Sequence, residues 1–116
     1  MGVYCFRWLR GPWVKVGSYR GRNPWSRMAR RGWRSVLKPD PALDYAGPGD
    51  FELVYWSPAL GASHERGVHA MFPDRFGEWI GADRLPEVLA ALTALSPDDR
   101  RDGCDREAAL RTRRRL

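Results

Sequence analysis

The chain has 116 residues, 43% of them hydrophobic, with six tryptophans, which suits one domain with a single modest core. No apolar run approaches the roughly 20 residues that cross a bilayer, the opening "MGVYCFRW" lacks the pattern of a secretory signal, and Cys5 and Cys104 do not make a disulfide framework, so a cytoplasmic protein with free thiols is expected. The formal charge of +6 is unevenly spread: residues 1–38 carry ten Arg or Lys and no Asp or Glu, residues 39–97 carry three basic and nine acidic, and residues 98–116 carry seven basic and five acidic.

"GVYCFRW" and "WVKVG" are β-rich runs around the turn signal "LRGP", and read as an antiparallel hairpin over 2–8 and 13–17. A two- or four-residue loop sets Trp8 opposite Trp13 and Phe6 opposite Lys15, with Tyr4 and Lys15 diagonal on one face. A three-residue loop sets them on opposite faces. "SYRGRN" is a loop. Asn23 then suits an N-cap, Pro24 a first helical position and Gly32 a C′ position, giving a helix over 24–31 with Arg27, Arg30 and Arg31. The Pro/Gly/Asp-rich stretch 38–50 is a loop holding at most a short turn, and "FELVYWS", 51–57, is a third strand. A helix follows from about Leu60 to Phe72, its buried stripe drawn from Leu60, Val68, Met71 and Phe72 and its end set by Pro73. "DRFGEWI" is a connector with room for one short strand. Apolar residues at 85, 88, 89, 92 and 95 have helical period, and Ser96-Pro97 stops that helix. The expected fold is α+β: a small three-stranded, mostly antiparallel sheet flanked by helices in the order ββαβαα, formed by a domain over 1–97. The charged tail, 98–116, is too polar to pack and is expected to be flexible.

The cation-only first third is a candidate polyanion surface. Arg20, Arg22, Arg30, Arg31 and Arg34 are its candidate nucleic-acid contacts, and Trp8, Trp13, Tyr19, Trp25 and Trp33 interleave with them. Cations neutralise phosphates and exposed rings stack on bases, although most of these Trp are expected in the core.

The stretch "HERGVH", 64–69, has the residue types of a zinc protease helix but not its spacing. His64 and His69 are five apart, which separates them by roughly 140° on a helix, so they cannot share one zinc ion. Glu65 and His69, at i and i+4, do share a face. A lone carboxylate suits a hard, largely hydrated ion such as Mg²⁺ that also meets phosphate. The plain alternative is an exposed Glu–His pair on a surface helix.

"GVY" at 2–4 and "KVG" at 15–17, with ten residues between Tyr4 and Lys15, resemble the two half-motifs of the GIY-YIG nuclease superfamily. Arg27 in "NPWSRM" takes the place of the family's arginine on the first helix, and Glu65 that of its metal-binding glutamate on a later one. "HERGVHAMFPDRFGEWI" is similar to a small phage and bacterial branch, with Val68-His69, Phe72 and Gly77-Glu78-Trp79 filling the branch's leucine-histidine, phenylalanine and Gly-Glu-Trp positions. The resemblance runs over residues 2–95. Lys15 departs from it, standing where much of the family has a tyrosine proposed as general base, and Arg31 stands where a His or Tyr is often found.

What the resemblance implies is a metal-dependent DNA endonuclease using Mg²⁺ (or Mn²⁺). Glu65 would hold the ion, Arg27 would clamp a phosphate oxygen, and Tyr4 would orient or deprotonate the attacking water beside the positive charge of Lys15. His69 would assist proton transfer or orient Glu65, or else simply pack beside Phe72. Glu78 and Trp79 are read as structural, a surface carboxylate and an edge-capping ring, and His64 is given no role. Two other readings stand beside it: a related nucleic-acid-binding module that has lost catalysis, and an interaction domain whose acidic middle and basic ends serve protein partners.

Overall fold

The computed structural model describes residues 1–31 and 37–114, with the side chains of 29–31 and 112–114 outside the description. The chain forms an α+β domain around a four-stranded antiparallel sheet. The elements are β1 (Gly2–Trp8), β2 (Trp13–Tyr19), α1 (Trp25–Arg31), β3 (Phe51–Ser57), α2 (Ala62–Ala70), β4 (Trp79–Gly81), α3 (Leu85–Leu95) and α4 (Arg106–Arg114). Short 3₁₀ turns at Pro41–Tyr45 and Pro48–Asp50 occupy the loop before β3. No helix among the described residues is long and apolar enough to cross a membrane.

The strand order is β3-β1-β2-β4. The β1–β2 hairpin closes through the four residues 9–12, pairing Phe6 with Lys15 and Tyr4 with Gly17. Period-2 alternation then gives each sheet face its own core. Val3, Cys5, Val14 and Val16 face α2 and α3, meeting Leu60, Val68, Phe72, Val88 and Leu92. Tyr4, Phe6 and Trp8 face the other way, into an aromatic cluster with Trp25, Met28, Phe51, Trp56 and Trp79. A register shift opposite Cys5 and Phe6 lets β3 send both Val54 and Tyr55 to the first core before Trp56 returns to the second.

Two expectations on the strands and helices need correcting. The sheet has a fourth strand, because "GEWI" turns sharply at Gly77, whose φ of 60° is open to glycine. Trp79–Gly81 then pair with Trp13–Lys15. Met71 and Leu95, assigned to buried stripes, are 56% and 49% exposed, because α2 ends at Ala70 and α3 at Leu95. The Asn23 cap forms as read, its side-chain oxygen accepting from the Trp25 N–H at 3.1 Å.

The expectation for the tail is also corrected: its described part, residues 98–114, packs back on the domain. β3 is an edge strand, with backbone groups that need partners. The Arg100 N–H donates to the Trp56 carbonyl at 2.6 Å, the Asp99 carboxylate accepts from the Trp56 N–H at 3.1 Å, and the Arg101 guanidinium donates to the Val54 carbonyl. Farther on, α4 lies against α1: Ala109 is buried in the aromatic core, and the Asn23 amide donates to the Asp105 carbonyl at 2.7 Å. The segment was misjudged because it docks mainly through polar bonds rather than a broad apolar stripe. Truncation after Pro97 is therefore expected to lower the melting temperature by roughly 10 °C, from a few hydrogen bonds and the packing of α4. A thermal melt of the shortened chain at the full-length midpoint would dismiss this docking.

Candidate functional site

The candidate site forms where β1, β2, the start of β4 and α2 meet. Tyr4 lies opposite Gly17 on the hairpin, and the ring uses the space that a side chain there would fill. A Cβ on Gly17 would fall 2.4 Å from the Tyr4 hydroxyl oxygen, so this close approach needs glycine. The Lys15 Nζ donates to that hydroxyl at 2.7 Å and sits 4.9 Å from the ring centre. On its other side the ammonium meets the Glu78 carboxylate at 2.7 Å. Lys15 is 1% exposed, so this contact is a buried charge meeting a carboxylate that reaches solvent, with 36% of the Glu78 side chain exposed.

Glu78 reaches this place because β4 begins beside β2. Lys15 pairs with Trp79, and the Val16 N–H donates to the Glu78 carbonyl at 3.2 Å. Glu78 is thus a member of the site and not the surface carboxylate expected from sequence. Trp79, expected to cap an edge, is fully buried in the aromatic core. The available signal was indirect: a lysine placed in a strand between apolar neighbours needs a counter-charge when buried.

β4 is short, so the backbone edge of β2 beyond Val16 needs other partners, and α2 supplies them. The His69 Nε2–H donates to the Val16 carbonyl at 2.8 Å, and Glu65 lies close enough to Ser18 for the polar groups of that residue to act on its carboxyl. The i, i+4 spacing puts both on the buried face with Val68. His64 points elsewhere, its Nδ1 accepting from the Gly61 N–H at 3.0 Å and closing the first turn. Arg75 donates to the His69 and Phe72 carbonyls at the other end of the helix.

Burial pushes the Glu65 carboxyl pKa up, and the neighbouring Glu78 charge adds to this, while Lys15 and Ser18 oppose it. Burial pulls the His69 pKa down, against the opposing effects of the Val16 carbonyl and Glu78. Glu78 and Lys15 thus act electrostatically across β2 on both Glu65 and His69.

The remaining expected residues lie around it. Arg27 is half-buried on α1, between the buried Trp25 and Met28. Arg20 and Arg22 are exposed just beyond β2. The side chains of Arg30 and Arg31, and all of Trp33 and Arg34, lie outside the described residues. Trp8 and Trp25 are core residues, which removes them as stacking platforms for bases. Among the described residues no three His, Cys, Asp or Glu side chains gather as a metal cage. The donor set centres on one raised carboxylate, Glu65, beside a second one already paired with Lys15. That chemistry fits a hydrated Mg²⁺ or Mn²⁺ shared with a phosphate better than a fully caged ion. No family model, no curated protein and no solved structure matches this chain.

A carboxyl whose pKa is raised on folding holds its proton more tightly in the folded state. It adds stability below the ordinary glutamate value of 4.5, and that contribution is lost as pH rises through the folded-state pKa. In metal-free buffer at pH 7, Glu65→Gln is thus expected to melt above the native chain, with the difference fading below about pH 4. Melting curves across pH 3.5 to 7 check it, and a variant less stable at pH 7 would contradict the assigned burial cost.

Proposed function

We propose that the protein is a metal-dependent DNA endonuclease of the GIY-YIG type. The observation that carries the reading is that Tyr4 and Lys15 on one face of β2, and Glu65 and His69 of α2 on the other, all lie along the same stretch of that strand though far apart in sequence. Hydrolysis of a phosphodiester needs a water to lose its proton as its oxygen bonds to phosphorus, while the opposite P–O ester bond breaks and the leaving oxygen gains a proton. Tyr4 would orient or deprotonate that water. An ammonium has three donors and no acceptor, so its bond to Tyr4 uses the phenol oxygen as acceptor and leaves the phenol's own O–H to point elsewhere. Lys15 itself is too buried to touch a phosphate, and its part is to charge and hold Tyr4. Glu65 would hold Mg²⁺ (or Mn²⁺), which when bound supplies Lewis-acid charge at the phosphate. His69, tied by Nε2–H to Val16, keeps Nδ1 as an acceptor and fixes the pitch of the helix that carries Glu65. Arg27 is assigned to a phosphate oxygen, and Arg20, Arg22, Arg30, Arg31 and Arg34 to the DNA backbone.

One observation favours a second reading, a DNA-binding module without cleavage. Tyr4 and Lys15 are each 1% exposed, so catalysis requires water to enter beside Glu78 and Glu65. A cleavage assay on plasmid, single-stranded and branched DNA with Mg²⁺, Mn²⁺ or a chelator separates the two. Under the nuclease reading, Glu65→Gln lowers the cleavage rate by about 100-fold or more and leaves binding intact or tighter, since it also removes repulsion against the backbone. Arg27→Ala weakens both cleavage and binding, with affinity falling roughly tenfold for a lost charged hydrogen bond. A Glu65→Gln variant that cuts at the native rate removes the site assignment. Wild-type protein that cuts nothing leaves the binding module.

Binding itself has a separate signature. Phosphate contacts release counterions, so affinity is expected to fall by roughly 1,000-fold or more from 50 to 200 mM salt if six phosphates are contacted. A dissociation constant unchanged over that range removes DNA as the partner.

A further inference from the structure

Lys15 is held on both sides at equal distance, 2.7 Å to the Tyr4 oxygen and 2.7 Å to the Glu78 carboxylate. The Tyr4 and Lys15 side chains are almost wholly buried, and Glu78 alone of the three extends into solvent. A buried ammonium needs a counter-charge, and Glu78 supplies one at 2.7 Å. An ammonium can only donate, so Tyr4 is the acceptor in this bond and its own O–H is left to point elsewhere.

We propose that Glu78 is a positioning residue, which acts through Lys15 to fix the direction of the Lys15–Tyr4 hydrogen bond and so keeps the Tyr4 O–H turned toward the reacting water. The catalytic half of this assignment rests on the nuclease reading; the hydrogen-bond half does not. The backbone makes the placement firm, because Glu78 enters through the same β2–β4 pairing that seats Trp79 opposite Lys15. A carboxylate on a freely moving loop would not hold the ammonium at one point. The Gly77 turn and the Phe76–Trp79 bridge brace Glu78 from the other side.

The test compares wild type, Glu78→Gln, Lys15→Met and the Lys15→Met/Glu78→Gln double variant. The probe is the ring-carbon NMR signal of Tyr4 next to its hydroxyl, assigned with Tyr4→Phe, and cleavage with Mg²⁺ is followed in parallel. Glu78→Gln is expected to move the Tyr4 signal, and the double variant to match Lys15→Met alone, because Glu78 acts only through Lys15. In cleavage, Glu78→Gln is expected to lose at least tenfold in kcat while its DNA dissociation constant stays within twofold of wild type. A merely structural role for Glu78 would lower the melting temperature and leave the signal of the folded protein in place.

A Tyr4 signal unmoved by Glu78→Gln overturns the proposal, as does one moved equally with and without Lys15. If Glu78→Gln does not fold, a folded double variant supports the coupling, since removing the stranded ammonium restores the protein. A double variant that also fails to fold overturns it. If wild type cuts no DNA, the nuclease reading fails, and the Tyr4 signal still decides whether Glu78 directs the hydrogen bond.

Discussion

A lysine with 1% of its surface exposed, lying in the second strand of a small sheet, has to be answered by the rest of the fold. Moving an ammonium out of water costs several kcal/mol even after the protein relaxes. At 2.7 Å, the attraction to the Glu78 carboxylate is about 6 kcal/mol at an effective dielectric of 20, reduced by solvent on the exposed half of that residue. Attraction and desolvation are therefore of similar size, and the pair adds little net stability. It constrains geometry instead. Tyr4 must sit over Gly17, β4 must begin at Trp79, and the turn at Gly77 must deliver Glu78 on the correct side of β2. Loss of any one of these leaves a buried charge without its partner, which costs far more than the intact pair contributes.

The same strand explains the placement of α2. Three residues of β4 cannot cover seven residues of β2, and an uncovered strand edge is a row of unsatisfied backbone groups. His69 covers part of that edge by bonding the Val16 carbonyl, as a neighbouring strand would with its backbone, and Glu65 lies one helical turn away on the same buried face of α2. The two residues that the nuclease reading needs most thus also have a folding role. That role costs them some solvation, visible in the raised Glu65 carboxyl and the lowered His69 imidazole. It also ties the helix to the strand that carries Lys15, so the candidate metal ligand and the candidate water-handling pair cannot drift apart independently.

Much of this was legible from the residues. The hairpin runs, the cap at Asn23 and the helical period of 85–92 depend on local signals, and the hairpin register followed once the loop length was four. Room for a short strand in "DRFGEWI" was legible, but its place beside β2 as a fourth strand was not, because three residues cannot display a period of two. The docking of 98–114 was hidden because Arg100, Asp99 and Arg101 bind β3 through its backbone, and backbone carbonyls leave no mark in a hydropathy pattern. Glu78 was misread for a related reason. Its importance comes from Lys15, sixty-three positions away in sequence, and only the β2–β4 pairing brings the two together.

That pairing also changes how the basic first third is understood. Its ten cations are not all available to a polyanion, because the acidic middle of the chain folds back onto several of them. Glu78 neutralises Lys15, Asp50 meets Arg10, Glu52 meets Arg7 and Asp44 meets Lys38. Arg7 and Arg10 stay exposed beside their carboxylates, and Arg20 and Arg22 are exposed just beyond the end of β2. The charge segregation seen in the sequence is therefore partly internal bookkeeping of the fold. Under the nuclease reading, Arg20 and Arg22 are the described cations of the first third that carry no carboxylate partner among the described ion pairs and so keep their full charge for a phosphate, whereas Lys15, held by Glu78, acts only inside the fold.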